Sequence, residues 1–442
     1  MRKYICILLC LFLAGCSAPA QIAIETTATV PAPVLWCVDL DTLTHTAEEA
    51  VTVEDKTVTI CCGGVYYLSG WLQNGQLVVD AEGQQVELVL RSAQLSANNL
   101  APLYVKAASS VTVTVAEGTQ NRLQVGQQTQ PDGEKVEAAL LSETELVLSG
   151  GGSLVVENDQ SHGISAVGNI TLSDLSLKVT SAGHSLRSES TITLLSGTLE
   201  LDAKKDGIHS ENKEDPTKGS FTMLGGEVTI RTEDDGVSVA DRLQITDGKV
   251  YILSCVEGLE AAHVYLQGGE VFVDASDDGI NATIGSEIDC FNGEALIHIT
   301  GGNITVHTQG DGLDSNGDIR MDGGQVLITG PGNTTHGFGA LDYVNQAIIT
   351  GGRFIALTSK GKSFSQGSTQ ASFNLNLSRF GGEGQMVTMT AGEQELFSHK
   401  ATCDINCVIV SLPELQVGER YTVMVGDKTY KISLTELITK SR

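Results

Sequence analysis

The sequence is poor in proline, in aromatic residues and in positive charge. Of its 442 residues, 8 are Pro, 5% are aromatic and only 2 are Trp. The chain has 27 Lys and Arg residues against 54 Asp and Glu residues, which gives a net charge of −27. A chain this negative is repelled by phosphate backbones, so we expect no nucleic-acid partner. The scarcity of Pro suits a protein whose backbone N–H groups are used in hydrogen-bonded strand ladders.

Several motifs of catalysis and metal binding are missing as well. The sequence has no Cys-x-x-Cys pair of the zinc-binding kind, no Gly-x-Ser-x-Gly and no P-loop. Of its ten Cys residues, seven remain once Cys6, Cys10 and Cys16 near the N-terminus are set aside. Seven is an odd number, so at least one thiol is free or pairs between chains. Cys403 and Cys407 could form a bridge if a hairpin brought them together.

The N-terminus resembles the signal of a bacterial lipoprotein. Arg2 and Lys3 precede an apolar run from Tyr4 to Phe12, which is too short to span a bilayer. The run leads into Leu13-Ala14-Gly15-Cys16, which looks like a lipobox. We therefore predict a signal peptide at residues 1–15, lipid attachment at Cys16 and a tether over residues 16–35. The protein would then be extracytoplasmic and would contact the membrane only through its lipid.

A repeat runs through the middle of the chain. Two glycines are followed by strand formers that alternate with polar residues, as in Gly225-Gly226-Glu227-Val228-Thr229-Ile230. Further copies begin at Gly268, Gly301, Gly323 and Gly351. Gly226, Gly248 and Gly269 are separated by 22 and 21 residues. A unit of this length cannot bury its own apolar face, but it can do so when the units stack.

The repeat therefore predicts an all-β fold, a parallel β-helix over residues 36–368. The alternative of a β-propeller needs blades of about 40 to 50 residues, roughly twice the period found here. The Gly-Gly pattern ends near Phe364, and residues 369–442 contain further strands. We expect these residues to form a small C-terminal β module or a cap on the open end of the helix.

An acidic residue followed by Gly recurs about ten residues after each Gly-Gly pair. Stacking places equivalent residues of neighbouring coils about 4.8 Å apart, so these acids would form a ladder of like charge. Carboxylates at this spacing suit Ca²⁺, which binds oxygen ligands at about 2.4 Å. The candidate metal ligands are Asp206, Asp234, Asp235, Glu257, Glu260, Asp277, Asp278, Asn281, Asp311 and Asp314. His162 and His184 occupy the ladder position in the first two repeats, and whether those positions bind metal is left open.

The sequence resembles a known family of bacterial lipoproteins that contain a carbohydrate-binding domain. The resemblance lies in the runs 70–80, 86–90 and 111–121, in the acidic-Gly-Ile/Leu repeats and in the polar loop 210–219. It implies a right-handed parallel β-helix similar to polysaccharide lyases, with several calcium ions along its coils. It also implies binding, rather than cleavage, of plant cell-wall polymers such as cellulose and acidic pectic chains. We expect a monomer, with no residues assigned to carbohydrate binding.

Two alternatives to a non-catalytic binding protein stay open. A calcium-dependent polysaccharide lyase needs a basic residue to remove a proton next to the uronate group. Candidates for that base are Lys204, Lys205, Arg231, Arg242 and His209. A structural protein or adhesin that binds a protein partner would also suit a long repetitive surface.

Overall fold

The computed structural model describes residues 35–126, 135–215, 217–284, 294–332 and 337–441. All the regular elements in these ranges are strands, numbered β1 to β44 along the chain. No helix within the ranges is long and apolar enough to cross a membrane. The signal peptide, Cys16 and nearly all of the tether lie outside the described residues and stay predictions.

The strands of the N-terminal part are short, except for β5 and β7. They are β1 (Leu35–Asp39), β2 (Thr44–His45), β3 (Val51–Glu54), β4 (Thr57–Ile60), β5 (Gly64–Gln73), β6 (Gln76–Asp80), β7 (Gln85–Ala97), β8 (Leu103–Ala107), β9 (Ser110–Val115), β10 (Gln120–Val125) and β11 (Ala138–Ser142).

The middle part of the chain repeats a set of three strands. The earlier of these are β12 (Leu146–Ser149), β13 (Ser153–Asn158), β14 (His162–Ala166), β15 (Ile170–Ser173), β16 (Ser176–Ser181), β17 (Leu186–Ser188), β18 (Thr191–Leu194), β19 (Thr198–Ala203), β20 (Ile208–Ser210), β21 (Ser220–Met223), β22 (Glu227–Thr232), β23 (Val237–Val239) and β24 (Arg242–Ile245). The later ones are β25 (Lys249–Cys255), β26 (Leu259–Ala261), β27 (His263–Leu266), β28 (Glu270–Ala275), β29 (Ile280–Ala282), β30 (Leu296–Ile299), β31 (Asn303–Thr308), β32 (Leu313–Ser315), β33 (Asp318–Met321), β34 (Gln325–Thr329), β35 (Leu341–Tyr343), β36 (Gln346–Ile349) and β37 (Arg353–Thr358).

The C-terminal part adds seven strands within the described residues. These are β38 (Ser372–Gly381), β39 (Met386–Ala391), β40 (Gln394–Lys400), β41 (Ile405–Ser411), β42 (Arg420–Val425), β43 (Lys428–Ser433) and β44 (Ile438–Ser441).

The repeated strands stack into three parallel columns, which we call the first, second and third columns. The first column runs from β9 through β12, β15 and every third strand to β36, and the second runs from β10 through β13 and every third strand to β37. The third column runs from β4 through β6, β8 and β11 to β35. Strands β5 and β7 are long enough to belong to the first two columns at once. This all-β arrangement of long parallel sheets is consistent with a β-helix or a similar solenoid.

Alternation along each strand separates core from surface. In β22, Val228 and Ile230 are buried, whereas Thr229 and Arg231 face outward. Val228 pairs with Val250 of the next coil, so that apolar residues stack on apolar residues. Each such burial contributes about 1.5–3 kcal/mol to folding. The repeats are thus stabilised by one continuous apolar core.

Each coil turns at two glycine-containing corners. The Gly-Gly corner joins the first column to the second, and the corner that carries the acidic residue joins the second to the third. Gly226 has φ of +87°, a conformation that favours glycine. A Cβ on Gly236, at the acidic corner, would lie 2.6 Å from the carbonyl oxygen of Gly258 in the next coil. The corners are therefore glycine because the backbones of adjacent coils touch there.

The strand direction changes after β37. Strand β41 pairs antiparallel with both β37 and β38, and β39, β40, β42 and β43 form a separate antiparallel sheet. These strands enclose a second apolar cluster around Phe373 and Val408. The open edge of β37, which ends the second column, is covered in this way.

The cysteines among the described residues are all free. The bridge between Cys403 and Cys407 that the sequence allowed is not formed. Cys407 is buried, and its Sγ donates instead to Oδ1 of Asn374 at 2.8 Å.

Candidate functional site

The acidic corners stack into a ladder of side chains. We define the ladder by the residue two positions before the first apolar residue of the third-column strand, and it comprises His162, His184, Asp206, Asp235, Glu257, Asp278 and Asp311. The backbone confirms the stacking, because the N–H of Gly236 donates to the carbonyl of Glu257 and that of Gly258 donates to Asp278. The sequence analysis placed these residues at one repeat position, and the structure brings them into one row.

Ladder side chains connect one coil to the next through a repeated hydrogen bond. Oδ1 of Asp235 accepts the backbone N–H of Glu257 at 3.0 Å, and Oδ1 of Asp278 accepts that of Asp311 at 2.5 Å. The two histidines follow the same rule, since Nδ1 of His162 accepts the N–H of His184 at 3.0 Å. A histidine at this position therefore replaces the carboxylate as a hydrogen-bond acceptor.

Glu257 departs from this pattern. Its longer side chain accepts instead from Nδ2 of Asn281, at 2.9 Å from Oε2. The side chain of the single Glu in the ladder thus bonds to a residue of a neighbouring row, whereas the Asp side chains bond to the backbone of the next ladder residue.

That neighbouring row lies on the outer face of the third column. Its members pair in register from coil to coil and are Arg187, His209, Ser238, Glu260, Asn281, Asp314 and Asp342. We call it the third-column row. Contacts within it include the bond from Oγ of Ser238 to Oε2 of Glu260 at 2.7 Å. Three predicted ligands, Glu260, Asn281 and Asp314, lie in this row beside the ladder.

The sequence analysis missed Asp342. It pairs with Asp314 in the third-column row, and Nζ of Lys362 binds its Oδ1. The residues Ala340-Leu341-Asp342 match Gly312-Leu313-Asp314, apart from an Ala in place of Gly. That substitution concealed the repeat, although the Leu-Asp pair was a usable signal.

Burial makes the ladder carboxylates beyond Asp206, and Asp314 beside them, costly to ionise in the absence of a cation. Burial first, and then the neighbouring carboxylates, raise the pKa of Asp235 to about 7 and that of Asp278 to about 8. The same causes raise the pKa of Glu257 to about 8, that of Asp311 to about 7 and that of Asp314 to about 6. A bound cation would favour the ionised form of all five carboxyl groups.

One of the buried oxygens without a hydrogen-bond partner among the described residues lies beside the ladder. Oδ1 of Asn281 is inaccessible to solvent and accepts no hydrogen bond, although Nδ2 of the same amide is bonded to Glu257. An unpaired buried acceptor costs about 1–3 kcal/mol. Placed between acidic residues of the ladder and the row, this oxygen fits a hard cation with oxygen ligands. The donor set therefore fits Ca²⁺.

The remaining predicted ligands lie at the edge of the ladder. Carboxylate oxygens of Asp206, Asp234 and Asp235 lie within 4.8 Å of one another. Asp234 is exposed, whereas Asp206 is buried. The carbonyl of Asp277, beside Asp278, accepts the N–H of Gly310 at 2.9 Å. Asp206, Asp234 and Asp235 thus form a second group of oxygen ligands, and Asp277 lies apart from it beside Asp278.

The basic residues considered for a lyase differ in their position and exposure. Lys204, Lys205, Arg231 and Arg242 are exposed. Arg242 lies on the first column, where its guanidinium covers the ring of Tyr265 at 5.2 Å. His209 is held by Asp206, with Nδ1 2.7 Å from Oδ2.

A shallow groove follows the Gly-Gly corners along several coils. It has a volume of about 920 Å³. It runs from Gly197 to Gln325, and its walls carry Glu227, Asp247 and Glu270. Its charged wall residues are mostly acidic, and the one cation, Lys249, lies 3.6 Å from Glu227.

The groove shares Asn303 and Gln325 with a cleft of about 340 Å³. The cleft lies between the second column and strand β40, whose Phe397 and His399 rings stack at 5.8 Å. On the second-column side of the cleft, Nε2 of Gln325 donates to Oδ1 of Asn303 at 3.0 Å. A cleft of this size with aromatic rings on one side and amides on the other is typical of small-ligand sites.

Comparisons with known proteins identify a family that this chain matches. The family model of carbohydrate-binding domain-containing proteins matches residues 54–290 and 282–406. A carbohydrate-binding domain-containing protein from Acetivibrio thermocellus is 27% identical over 251 residues, which cover 56% of this chain and 87% of that protein. The solved gadolinium derivative of a polysaccharide lyase-like protein from C. thermocellum is 24% identical, covering 58% of this chain and 97% of that one, with a TM-score of 0.46.

The matched family segments contain every member of the ladder and of the third-column row, the groove and the Phe397–His399 cleft. The family match therefore spans well over half of the chain. This chain belongs to the family of carbohydrate-binding domain-containing proteins.

Proposed function

We propose that the protein binds polysaccharide at the bacterial cell surface, depends on calcium and is not catalytic. Family membership supports the carbohydrate ligand. The observation that supports calcium is the buried ladder, together with the unpartnered Oδ1 of Asn281. We further propose that the three columns wind as a right-handed parallel β-helix over residues 36–368, with residues 369–442 as a C-terminal module. Anchoring through lipid on Cys16, and a monomeric state, complete the proposal.

Residues of the ladder and of the third-column row would hold the calcium. Asp235, Asp278 and Asp311 use Oδ1 for the next coil, which leaves Oδ2 available to a cation. Glu260, Asn281, Asp314 and Asp342 offer further oxygens from the row. Bound calcium would supply positive charge at the surface, and this would let a protein of net charge −27 approach uronate groups.

The groove and the cleft form a surface that suits a neutral glycan. The carboxylates of Glu227, Asp247 and Glu270 repel uronates but accept hydrogen bonds from sugar hydroxyl groups. The rings of Phe397 and His399 provide an apolar wall. Neutral and acidic chains would therefore bind at different corners of the coils.

A pull-down assay tests the proposed function. The purified protein should be retained on cellulose and on polygalacturonate in calcium, and chelation should release it from polygalacturonate first. His399→Ala and Asn303→Ala should weaken retention on cellulose without changing retention on polygalacturonate. If neither polymer retains the protein, polysaccharide binding is wrong.

Two further measurements test the other parts of the proposal. Incubation with pectate and calcium should give no unsaturated product that absorbs in the ultraviolet, whereas such a product would establish a lyase. Labelling of cells with a radioactive or clickable fatty acid should mark the wild-type protein and not Cys16→Ser. Unlabelled wild-type protein would contradict the lipid anchor.

A further inference from the structure

The ladder changes its chemistry at Asp206. On one side its members are His162 and His184, and on the other they are acidic. His209, which follows Asp206 by three residues, lies in the third-column row. Ligand atoms of His184, Asp206 and His209 all lie within 4.8 Å of one another. Nitrogen and oxygen donors thus converge at this point, which contrasts with the all-oxygen group around Asn281.

The geometry of the three residues is close to that of a coordination site. Oδ2 of Asp206 lies 2.7 Å from Nδ1 of His209 and 3.2 Å from Nδ1 of His184. In a tetrahedral zinc site with bonds of about 2.0–2.2 Å, ligand atoms are about 3.4 Å apart. The rings of His184 and His209 are nearly parallel, 4.2 Å apart with an interplanar angle of 11°. Both Nδ1 atoms therefore approach the same carboxylate oxygen.

The surroundings hold these side chains in place. His184 and Asp206 are buried, with 8% and 4% of their surface exposed. His162 stacks on the opposite face of the His184 ring at 4.9 Å. Oε2 of Glu211 lies 3.9 Å from Nε2 of His209, and a carboxylate behind the ring is common where histidine binds metal. Little reorganisation is then needed for binding.

Metal binding would replace two contacts that exist in the free protein. One is the hydrogen bond between His209 and Asp206, and the other is the 3.2 Å contact in which Nδ1 of His184 accepts the N–H of Asp206. Oδ1 of Asp206 is engaged separately, since it accepts the N–H of Asp235 at 3.3 Å. Only Oδ2 is therefore shared with the histidines.

We propose that His184, Asp206 and His209 bind a late first-row transition metal ion, of which Zn²⁺ is the representative. Two imidazoles and one carboxylate are donors that favour Zn²⁺ over Ca²⁺, and water completes the coordination. The site goes beyond the proposed polysaccharide binding and does not depend on it. The ladder would then bind a transition metal ion at Asp206 and its histidine neighbours, and calcium at the acidic residues that follow Asp206.

Cobalt provides the direct test. The purified protein is first saturated with excess Ca²⁺, so that the oxygen sites are filled, and is then titrated with Co²⁺. We expect one equivalent of Co²⁺ to give the intense visible bands of a tetrahedral complex, and Zn²⁺ to abolish them. Absence of these bands, or only the weak spectrum of octahedral Co²⁺, overturns the proposal.

Histidine variants locate the site. His209→Gln and His184→Gln should each weaken Zn²⁺ binding by about 100-fold or more, beyond the loss typical of an outer partner. The control is His298→Gln on the first column, outside the ladder, which removes a pair in which Nε2 lies 2.8 Å from Oδ2 of Asp322. His298→Gln should bind Zn²⁺ like wild type.

Folding is measured separately for each variant. His209 is less buried than His184, so His209→Gln is the variant expected to keep the fold. Circular dichroism and the thermal midpoint in calcium establish this. A folded His209→Gln that binds Zn²⁺ as tightly as His298→Gln would falsify the assignment.

Discussion

At both the Gly-Gly corner and the acidic corner, the backbones of adjacent coils come so close that glycine is required. The side chains at the two corners differ in their chemistry. A Cβ on Gly226 at the Gly-Gly corner would lie 2.7 Å from the carbonyl oxygen of Gly197, and one on Gly236 at the acidic corner would lie 2.6 Å from that of Gly258. Both corners therefore need glycine for the same reason. The two corners differ in the burial of their ionisable side chains, because Glu227, Lys249 and Glu270 are at least partly exposed at the Gly-Gly corner, whereas Asp278 and Asp311 are buried at the acidic corner.

Because of this difference, we expect the stability contributed by the acidic corner to depend on bound ions and that contributed by the Gly-Gly corner to be independent of them. At the Gly-Gly corner the adjacent coils are joined by backbone bonds, such as that from the N–H of Glu227 to the carbonyl of Gly197 at 2.9 Å. At the acidic corner the backbone bonds are supplemented by buried carboxylates whose pKa is raised. We expect calcium, protons and charge substitutions to act on the acidic corner alone.

Removal of calcium should have the largest effect. Each site filled at about 100 times its Kd stabilises the fold by about 2.7 kcal/mol, and several sites would add up. The thermal midpoint measured at pH 8 should therefore fall markedly on chelation and recover when Ca²⁺ is added. Mg²⁺ at the same concentration serves as the control, since it fits large oxygen sites poorly. An unchanged midpoint would exclude calcium from the ladder.

The pH dependence should be the next largest effect. In chelator, the pKa values of Asp235, Glu257, Asp278 and Asp311 lie at about 7 or 8, above the value of about 4 in an unfolded chain. The folded protein then holds more protons than the unfolded chain between these limits. The contribution of these groups to the free energy of unfolding should therefore be complete at about pH 4 and below. It should fall as the pH rises to about 8.

Calcium should flatten this profile, because it replaces the protons on the carboxylates. Denaturant unfolding at several pH values, with and without Ca²⁺, measures both curves. A metal-free protein that gains stability between pH 5 and pH 8 would show that other groups dominate.

A methyl group at the acidic corner should disturb the fold directly. In Gly258→Ala the new Cβ would lie 2.3 Å from the carbonyl oxygen of Gly279 and 2.4 Å from Cγ1 of Val273. Overpacking of this kind costs about 1–3 kcal/mol. Gly225→Ala is the matched control at the other corner, since its Cβ would meet a single atom at 3.0 Å. Equal urea midpoints for the two variants would contradict the crowding seen here.

The smallest expected effect comes from adding one charge at each corner. Asn281→Asp should lower the stability of the metal-free protein by about 1 kcal/mol through repulsion and should strengthen calcium binding. Asn303→Asp, at an exposed position by the groove, should change stability by less than about 0.5 kcal/mol. Calorimetric titration with Ca²⁺ compares the two variants. If only Asn303→Asp bound Ca²⁺ more tightly, calcium would bind at the Gly-Gly corner, and the proposed ladder site would be wrong.

Much of the architecture could be read from the residue pattern. The alternation of Val228, Thr229 and Ile230 predicts which residues are buried, and this is confirmed. The position of each acid before a glycine predicts the ladder, and the structure contains this stack of residues. Calcium itself stays a prediction, as does the lipid on Cys16.

Other features could not be read in this way. The alignment of Asp342 with Asp314 was missed, because Ala340 stands where the other acidic corners have glycine. His209 and Asp206 are close in sequence, but the approach of His184 from the preceding coil required the stacking. The cleft at Phe397 depends on a sheet that follows the last repeat.

The sequence by itself determined the length of a coil, the inward face of each strand and the charge of one corner. These are local properties, because strand alternation and glycine turns are set by adjacent residues. Only the tertiary structure decided which side chains meet between coils, how deeply the carboxylates are buried and where nitrogen replaces oxygen in the ladder. Those properties depend on neighbours about 20 to 30 residues away, whose distance is set by the stacking of coils about 4.8 Å apart.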